Sequence, residues 1–281
     1  VNDEVAELLM RYFVQRRDVK AFQCMQVHEI DPDRDPKYQM KPHKPGGYHP
    51  IRHREFTVQD IRDHLDKKVT YGHYLMDSAN VCRVFAFDID LNKEGFWPTS
   101  PHVEGNHDAV AFSPLQYWTS RQPQFPRSWL KYQFRMLSEM LGQAIKRELG
   151  LPTLIAYSGS KGMHVYALAG PITGEQAREG IDIVLDSLGC FEPTNGRNFF
   201  RHVNQDPVLG YPNFTIEVFP KQERVDNKNK GLGNLMRLPL GRNQKTTDPT
   251  FFVDCRHPMA ELKPLDPAVA LKTLDPWGGG K

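Results

Sequence analysis

Cysteine is scarce in this chain and clustered nowhere. Cys24, Cys82, Cys190 and Cys255 are the only four in 281 residues, and no two have the C-x-x-C spacing. Their scatter argues against a disulfide framework and against a zinc ribbon, so no structural zinc is expected and a reducing cytoplasm fits best. Long apolar runs are also lacking: nothing approaches the roughly 18 residues of a membrane span, and no export signal is visible. One-sided charge is missing too, since the formal net charge is only +2 and names no polyanionic partner by itself. Internal repeats and low-complexity tracts are absent. What is present, 25% charged and 39% hydrophobic residues, is the composition of a globular chain large enough for one α/β domain or two packed lobes. Because the chain starts at Val1 and ends in DPWGGGK, it is expected to be part of a longer, processed or tagged polypeptide.

Periodicity outlines the elements. Val5, Leu8, Leu9 and Tyr12 predict a helix from Asp3 to Phe13 capped by Asn2, and a polar, Pro-rich stretch follows across residues 31–50. Thr57-x-x-Asp60 heads a short helix with Ile61 and Leu65 on one face. Residues 92–127 read as a long insertion whose Trp97, Tyr117 and Trp118 are core plugs or stacking platforms. Leu130, Phe134, Leu137, Leu141 and Ile145 mark a helix closed by Gly150 and Pro152, and Thr173-x-x-Gln176 opens another that stops at Gly189. Strands are expected at TLIAYS (153–158), HVYALAG (164–170) and FTIEVFP (214–220).

The stretch VFAFDIDLN, residues 84–92, reads as a strand carrying Asp88 and Asp90 on one face and Phe87, Ile89 and Leu91 on the other. Two carboxylates about 7 Å apart in a poorly hydrated setting repel each other and carry a desolvation cost unless something compensates. A divalent cation would do so. A strand end with both aspartates solvated or paired to Lys or Arg would do so as well.

YSGSKGMHVY, residues 157–166, packs glycines, Ser158, Ser160, Lys161, Gly162 and His164 into a strand-turn-strand. Glycines let backbone N–H groups converge on an anion, the hydroxyls add donors, and Lys161 and His164 add charge. A plain hairpin turn accounts for the glycines and serines but not for the lysine and the strand-borne histidine. No helix follows the turn, so this is not the P-loop arrangement. Glu217 interrupts FTIEVFP as a further acid. Three such carboxylates can hold two Mg²⁺ or Mn²⁺ ions ~3.5–4 Å apart, one activating an attacking hydroxyl and one neutralising a leaving pyrophosphate. Between Lys221 and Lys245 seven cations (Lys221, Arg224, Lys228, Lys230, Arg237, Arg242, Lys245) face two acids (Glu223, Asp226), a solvated loop or an anion-binding surface.

In this order, D-x-D, S-G-S-K-G-x-H, an acid-bearing strand and a basic segment, the chain resembles the archaeo-eukaryotic primase superfamily. EVFPKQ and GLGNLMRLPLGRN look most like the primase-polymerases of phage, mobile-element and CRISPR-associated systems, and the likeness spans roughly residues 71–245. It implies an α/β catalytic core with an RRM-like mixed sheet beside an N-terminal α/β lobe. The lobes would be residues 1–80 and 81–255, with residues 256–281 a tail or linker. By the same likeness Asp88, Asp90 and Glu217 would be catalytic and bind two Mg²⁺ or Mn²⁺ ions. Ser158, Ser160, Lys161, Gly162, His164 and Arg237 would hold the nucleotide, and Lys221, Arg242 and Lys245 the template. The implied activity is a DNA primase-polymerase, with a single-stranded DNA template and (d)NTPs as partners and a helicase or other replication domain in a longer polypeptide. Two features depart from the pattern: the third acid is Glu where Asp is commoner, and no Cys/His cluster matches the zinc element of many cellular primases. A D-x-D nucleotide-sugar transferase is the rival enzyme, but no nucleotide-binding strand-helix repeat precedes the motif. A non-catalytic module holding single-stranded nucleic acid is the rival binder, and it has no need of the acids.

Overall fold

A computed structural model describes residues 3–25, 46–52, 54–93, 95–97, 110–119, 125–203, 213–226 and 231–274. The N-terminal part runs α1 (Asp3–Phe13), β1 (Val19–Cys24), β2 (Gly47–Arg52), α2 (Val58–Leu65) and β3 (Tyr71–Tyr74). Next come β4 (Val81–Leu91), the hairpin β5 (Gly95–Trp97) and β6 (Val110–Phe112), α3 (Pro114–Thr119) and α4 (Phe125–Leu149). The chain continues through β7 (Thr153–Tyr157), β8 (Gly162–Thr173), α5 (Gly174–Leu188), β9 (Phe191–Asn195), β10 (Phe199–His202) and β11 (Phe214–Phe219). It ends with β12 (Leu235–Arg237), β13 (Phe251–Phe252) and α6 (Pro267–Lys272). Among the described residues no helix is long and apolar enough to cross a membrane.

The larger sheet has the order β13-β7-β8-β4-β11-β10-β9. Its central part, β4–α4–β7–β8–α5–β11, is a pair of split β-α-β units, the RRM-like arrangement expected. One detail is corrected. The sheet expected to be mixed is antiparallel at every ladder. The reason is topological: β8 lies between the parallel strands β4 and β7, and β4 lies between β8 and β11, so no parallel pair is adjacent.

The smaller sheet, β12-β3-β1-β2, belongs to the N-terminal lobe but draws its edge strand from residues 235–237. That lobe therefore does not end at residue 80. Likewise, the expected tail from residue 256 onward contributes α6, whose Ala270 and Leu271, with Leu274 beyond, are buried in the same core as Leu9 and Phe13 of α1. A short amphipathic turn of this kind has little helical signature of its own, and its apolar residues are ordered by packing.

Alternation along the strands gives the large sheet two different faces. Phe85, Phe87, Ile89 and Leu91 of β4 pack with Leu130, Phe134, Leu137, Leu141 and Ile145 of α4 and Ile181 of α5. On the other face Val84 and Ala86 lie with Phe13, Tyr166 and Phe252. Asp88 and Asp90 continue that second face beyond the apolar cover, so the strand changes from core to site within one alternation series. Trp118 is a core plug against Phe134, at 5.3 Å between ring centroids. The side chains of Trp97 and Tyr117, the Asn2 cap and most of the Pro-rich stretch lie outside the described residues, as do Lys228 and Lys230.

Candidate active site

Three adjacent strands bring the predicted residues abreast. Asp88 on β4 pairs with His164 on β8 and with Glu217 on β11, while Asp90 pairs with Gly162 and Thr215. Asp88, His164 and Glu217 therefore share one face and one row of the sheet. Each outer carboxylate has its own lysine: Lys161 Nζ is 2.8 Å from Asp90 Oδ2, and Lys221 Nζ contacts Glu217 Oε1. Lys221, expected on the template, thus sits against a catalytic candidate, and its ammonium also lies over the rings of Phe199 and Phe219.

Asp88 has no such lysine. Although 23% of its side chain is exposed, Oδ1 is buried without a hydrogen-bond partner among the described residues, with His164 Nε2 3.4 Å away. Burial, then the charges of Asp90 and Glu217, raise its pKa well above the usual carboxylate range, against the pull of Arg237 and Lys161.

His164 is buried beneath the same row, with Nδ1 2.8 Å from the Tyr166 hydroxyl. Burial, helped by the charge of Arg237 and by His73, pushes its pKa down to about 3. The ring is neutral near pH 7, so the charge expected from His164 is not there and Lys161 alone supplies it. Burial and the Asp88 carboxylate likewise hold the Tyr166 phenol protonated.

The hairpin joining β7 to β8 is tied back through its carbonyls. Ser158 O accepts from Arg237 Nη1, and Gly159 O accepts from Thr246 Oγ1. Ser160 O accepts from Trp118 Nε1 at 2.7 Å and from the Tyr157 hydroxyl at 2.8 Å. Lys161 O accepts from Leu91 N at 3.0 Å, and Gly162 O from Ser158 N at 3.0 Å. The N–H groups of Gly159, Ser160 and Lys161 have no partner among the described residues. Such a turn presents donors and hides acceptors, which suits an anion. Gly159 takes the left-handed φ of 72°, and its missing β-carbon leaves room for Asp248 O, Thr250 and Asn243. A β-carbon at Gly162 would collide with Asp90 Oδ1, so this glycine is what lets the loop approach the carboxylates.

Arg237 reaches the site from the N-terminal lobe's sheet. Besides Ser158 O, it donates from Nε to the Tyr48 hydroxyl at 3.0 Å. Arg242 and Lys245 are not brought to the cluster among the described residues. The Arg242 carbonyl accepts from Thr70 Oγ1 while its Nε is buried without a partner, and the Lys245 stem covers Gly46. Strand β12 ends at Arg237, and Pro239–Leu240 form the turn after it, with Leu240 at φ 75°. Sequence reasoning missed Tyr48, Tyr157, Tyr166 and Thr246. Of these only Tyr166 carried a signal, as the residue two beyond His164 on the same strand face.

Whether these residues fit a divalent metal can be tested on Asp88. Its sealed, unpartnered Oδ1, raised pKa and two neighbouring carboxylates describe a site short of positive charge, and all donors are oxygens, as hard cations such as Mg²⁺ and Mn²⁺ prefer. As they stand, no three His, Cys, Asp or Glu side chains among the described residues close around one ion. Asp90 and Glu217 are instead turned to their lysines. The chemistry of this oxygen-only row, short of positive charge, therefore fits a hard divalent cation.

The split β-α-β sheet, with its acidic row beside an anion-presenting hairpin, fits the primase-polymerase class of nucleotidyltransferases, to which the family match assigns the chain. The family model of the archaeo-eukaryotic primase domain of TOTE conflict systems matches residues 4–263, and the chain belongs to that family. Among solved structures it is similar to the polymerase domain of Mycobacterium tuberculosis ligase D in complex with DNA, at 12% identity and a TM-score of 0.41 over 99% of this chain and 90% of that one. Comparison with curated proteins gave no match.

Proposed function

We propose that this chain is a template-dependent DNA primase-polymerase, adding nucleotides to a strand paired with a single-stranded DNA template. The observation that carries the reading is the in-register row Asp88–His164–Glu217 beside a hairpin whose carbonyls are all engaged elsewhere. The free N–H groups of residues 159–161 and the Arg237 guanidinium hold the triphosphate of an incoming nucleotide. Neutral His164 offers a hydrogen bond at the floor of the row without adding repulsion or charge. Bound by Asp88, Asp90 and Glu217, two Mg²⁺ or Mn²⁺ ions would supply charge that eases deprotonation of the attacking hydroxyl and neutralises the leaving pyrophosphate. In the reaction the strand's 3′-oxygen forms a bond to the α-phosphorus, the bond to the β-phosphate oxygen breaks, and the hydroxyl proton passes to solvent. Lys161 and Lys221, paired here with Asp90 and Glu217, are the cations within reach of the nucleotide's phosphate oxygens and would be free to meet them if those carboxylates held the ions.

The experiment is incorporation of labelled nucleotide on a single-stranded template, with and without a primer, in Mg²⁺ or Mn²⁺. Ribo- and deoxyribonucleotides are supplied in turn and products are sized on a gel. Metal-dependent, template-directed products are expected. A folded chain that binds the template but yields no product under any of these conditions would be a nucleic-acid-binding module instead.

A further inference from the structure

Arg237 acts electrostatically on Asp88 but forms no ion pair with it. Lys161 and Lys221 both sit on acids, yet Arg237 makes no ion pair among the described residues. A long cation next to an uncompensated buried carboxylate should collapse onto it, because attraction in a poorly hydrated site is strong. Something holds it off. Two bonds do: Nε donates to the Tyr48 hydroxyl at 3.0 Å, and Nη1 donates to Ser158 O. A guanidinium has five N–H donors in a rigid plane. Nε and Nη1 point to different edges of that plane, so holding both locks the group's orientation and leaves Nη2 without a partner among the described residues.

The geometry of the Tyr48 contact is unusual. Tyr48 lies on β2 and Arg237 on β12, the opposite edges of the four-stranded sheet. Their side chains meet across the sheet's face, and Gly72 of β3 is where they pass. Gly72 pairs directly with Arg237, and a β-carbon there would stand 2.9 Å from Tyr48 Cε1, 2.6 Å from Leu235 Cδ2 and 2.9 Å from Met236 O. Gly72 has no left-handed φ to explain it, so the requirement is space.

We infer that Tyr48, admitted across the sheet by Gly72, is a positioning residue that holds the Arg237 guanidinium away from Asp88 and presents its free Nη2 to the triphosphate. This rests on the reading of the site given above. Removing the hydroxyl leaves the ring's packing but frees Nε, and the guanidinium then turns to the carboxylates.

The test compares the unaltered chain with Tyr48→Phe and Gly72→Ala, each checked for folding by thermal melting. Two readouts are used: calorimetric binding of inorganic tripolyphosphate in metal-free buffer, and nucleotide KM and kcat in the incorporation assay. Tyr48→Phe should weaken tripolyphosphate binding and raise KM by about tenfold, with kcat changed less than KM and template affinity unchanged. Gly72→Ala should give the same KM-weighted pattern with a lower melting temperature. A role in folding alone would lower kcat through loss of active protein and leave KM and tripolyphosphate binding as they were, which overturns the inference. If the unaltered chain itself binds no tripolyphosphate, the anion reading of the loop falls and this inference with it. If the unaltered chain binds it and Tyr48→Phe binds equally well, only the positioning role falls.

Discussion

A carboxylate whose oxygen is sealed from water beside two other acids is costly to keep charged, and Asp88 is held in that state. Replacing it with Asn keeps the shape and removes the repulsion, so in metal-free buffer Asp88→Asn should melt higher, by about 2–4 °C for each kcal/mol relieved. The same change should reduce nucleotide incorporation at least about 100-fold, because it removes charge from the proposed metal donors. A variant that melts lower, or keeps more than a few per cent of activity, would count against the acidic row as the reaction centre. At this scale much was legible. Alternation placed Asp88 and Asp90 on one face, and Glu217 on the matching face of its own strand, from the period of two alone. That His164 is neutral was not legible, since burial and the nearby Arg237 are properties of the folded chain. Nor was the pairing of Lys221 with Glu217: the segment's charge was countable, but its partners depend on where the strand ends.

The hairpin between β7 and β8 is the element on which nucleotide binding turns, and its shape is imposed from outside. Thr246 Oγ1 on Gly159 O and Arg237 on Ser158 O come from one distant stretch of the chain, and Trp118 Nε1 on Ser160 O from another. Thr246→Val should therefore cost about 1 kcal/mol of stability and raise the nucleotide KM several-fold while leaving template affinity alone. Urea unfolding and steady-state kinetics check the two halves. Equal KM values would mean the hairpin keeps its shape without this brace. The capping boxes at Thr57–Asp60 and Thr173–Gln176 and the left-handed stop at Gly189 stand where their spacing predicts them, because caps are local. Strand β12 was invisible as part of the first lobe. Three residues carry no periodicity, and their partner β3 lies more than 150 residues earlier in the chain. The separation of Arg237 from Arg242 follows from the turn after β12. Arg242→Ala should flatten the slope of log K against log salt for single-stranded DNA by about one unit if it meets a template phosphate, whereas Arg237→Ala should leave that slope unchanged. An unchanged slope for Arg242→Ala removes it from the template path.

Across the whole molecule the two sheets share one core, and that core contains two fully buried histidines. His64 of α2 accepts from Tyr71 N at Nδ1 and so donates from Nε2 to the Pro239 carbonyl, each at 3.0 Å, stitching α2, β3 and the turn after β12 together. Gly241 packs against its ring so closely that a β-carbon there would collide with it. His73 of β3 lies edge-on to Phe13 of α1, with neither ring nitrogen hydrogen-bonded in good geometry among the described residues. Burial lowers both pKa values to about 4. The Arg237 charge adds to this for His64, against the Pro239 and Leu238 carbonyls, and His64 adds to it for His73, against the Phe13 carbonyl. The sign follows from proton counting: between pH 6.5 and about 4 the unfolded chain binds protons at these sites that the folded chain refuses. Stability is therefore full above pH 6.5 and is lost as pH falls, by about 3 kcal/mol per histidine over the window, with a combined slope of roughly 2–3 kcal/mol per pH unit. Asp88 works in the opposite sense, since its raised pKa favours the folded state as acid protonates it, so the measurement belongs in the Asp88→Asn background. Urea unfolding of that variant at pH 7, 6 and 5 should show the loss, to which buried His164 adds in the same sense, and adding His73→Leu should reduce the slope by about one histidine's share, roughly 1.4 kcal/mol per pH unit, leaving His64 and His164 to titrate. Equal stability at all three pH values would mean that both rings take up protons in the folded core, contrary to their burial.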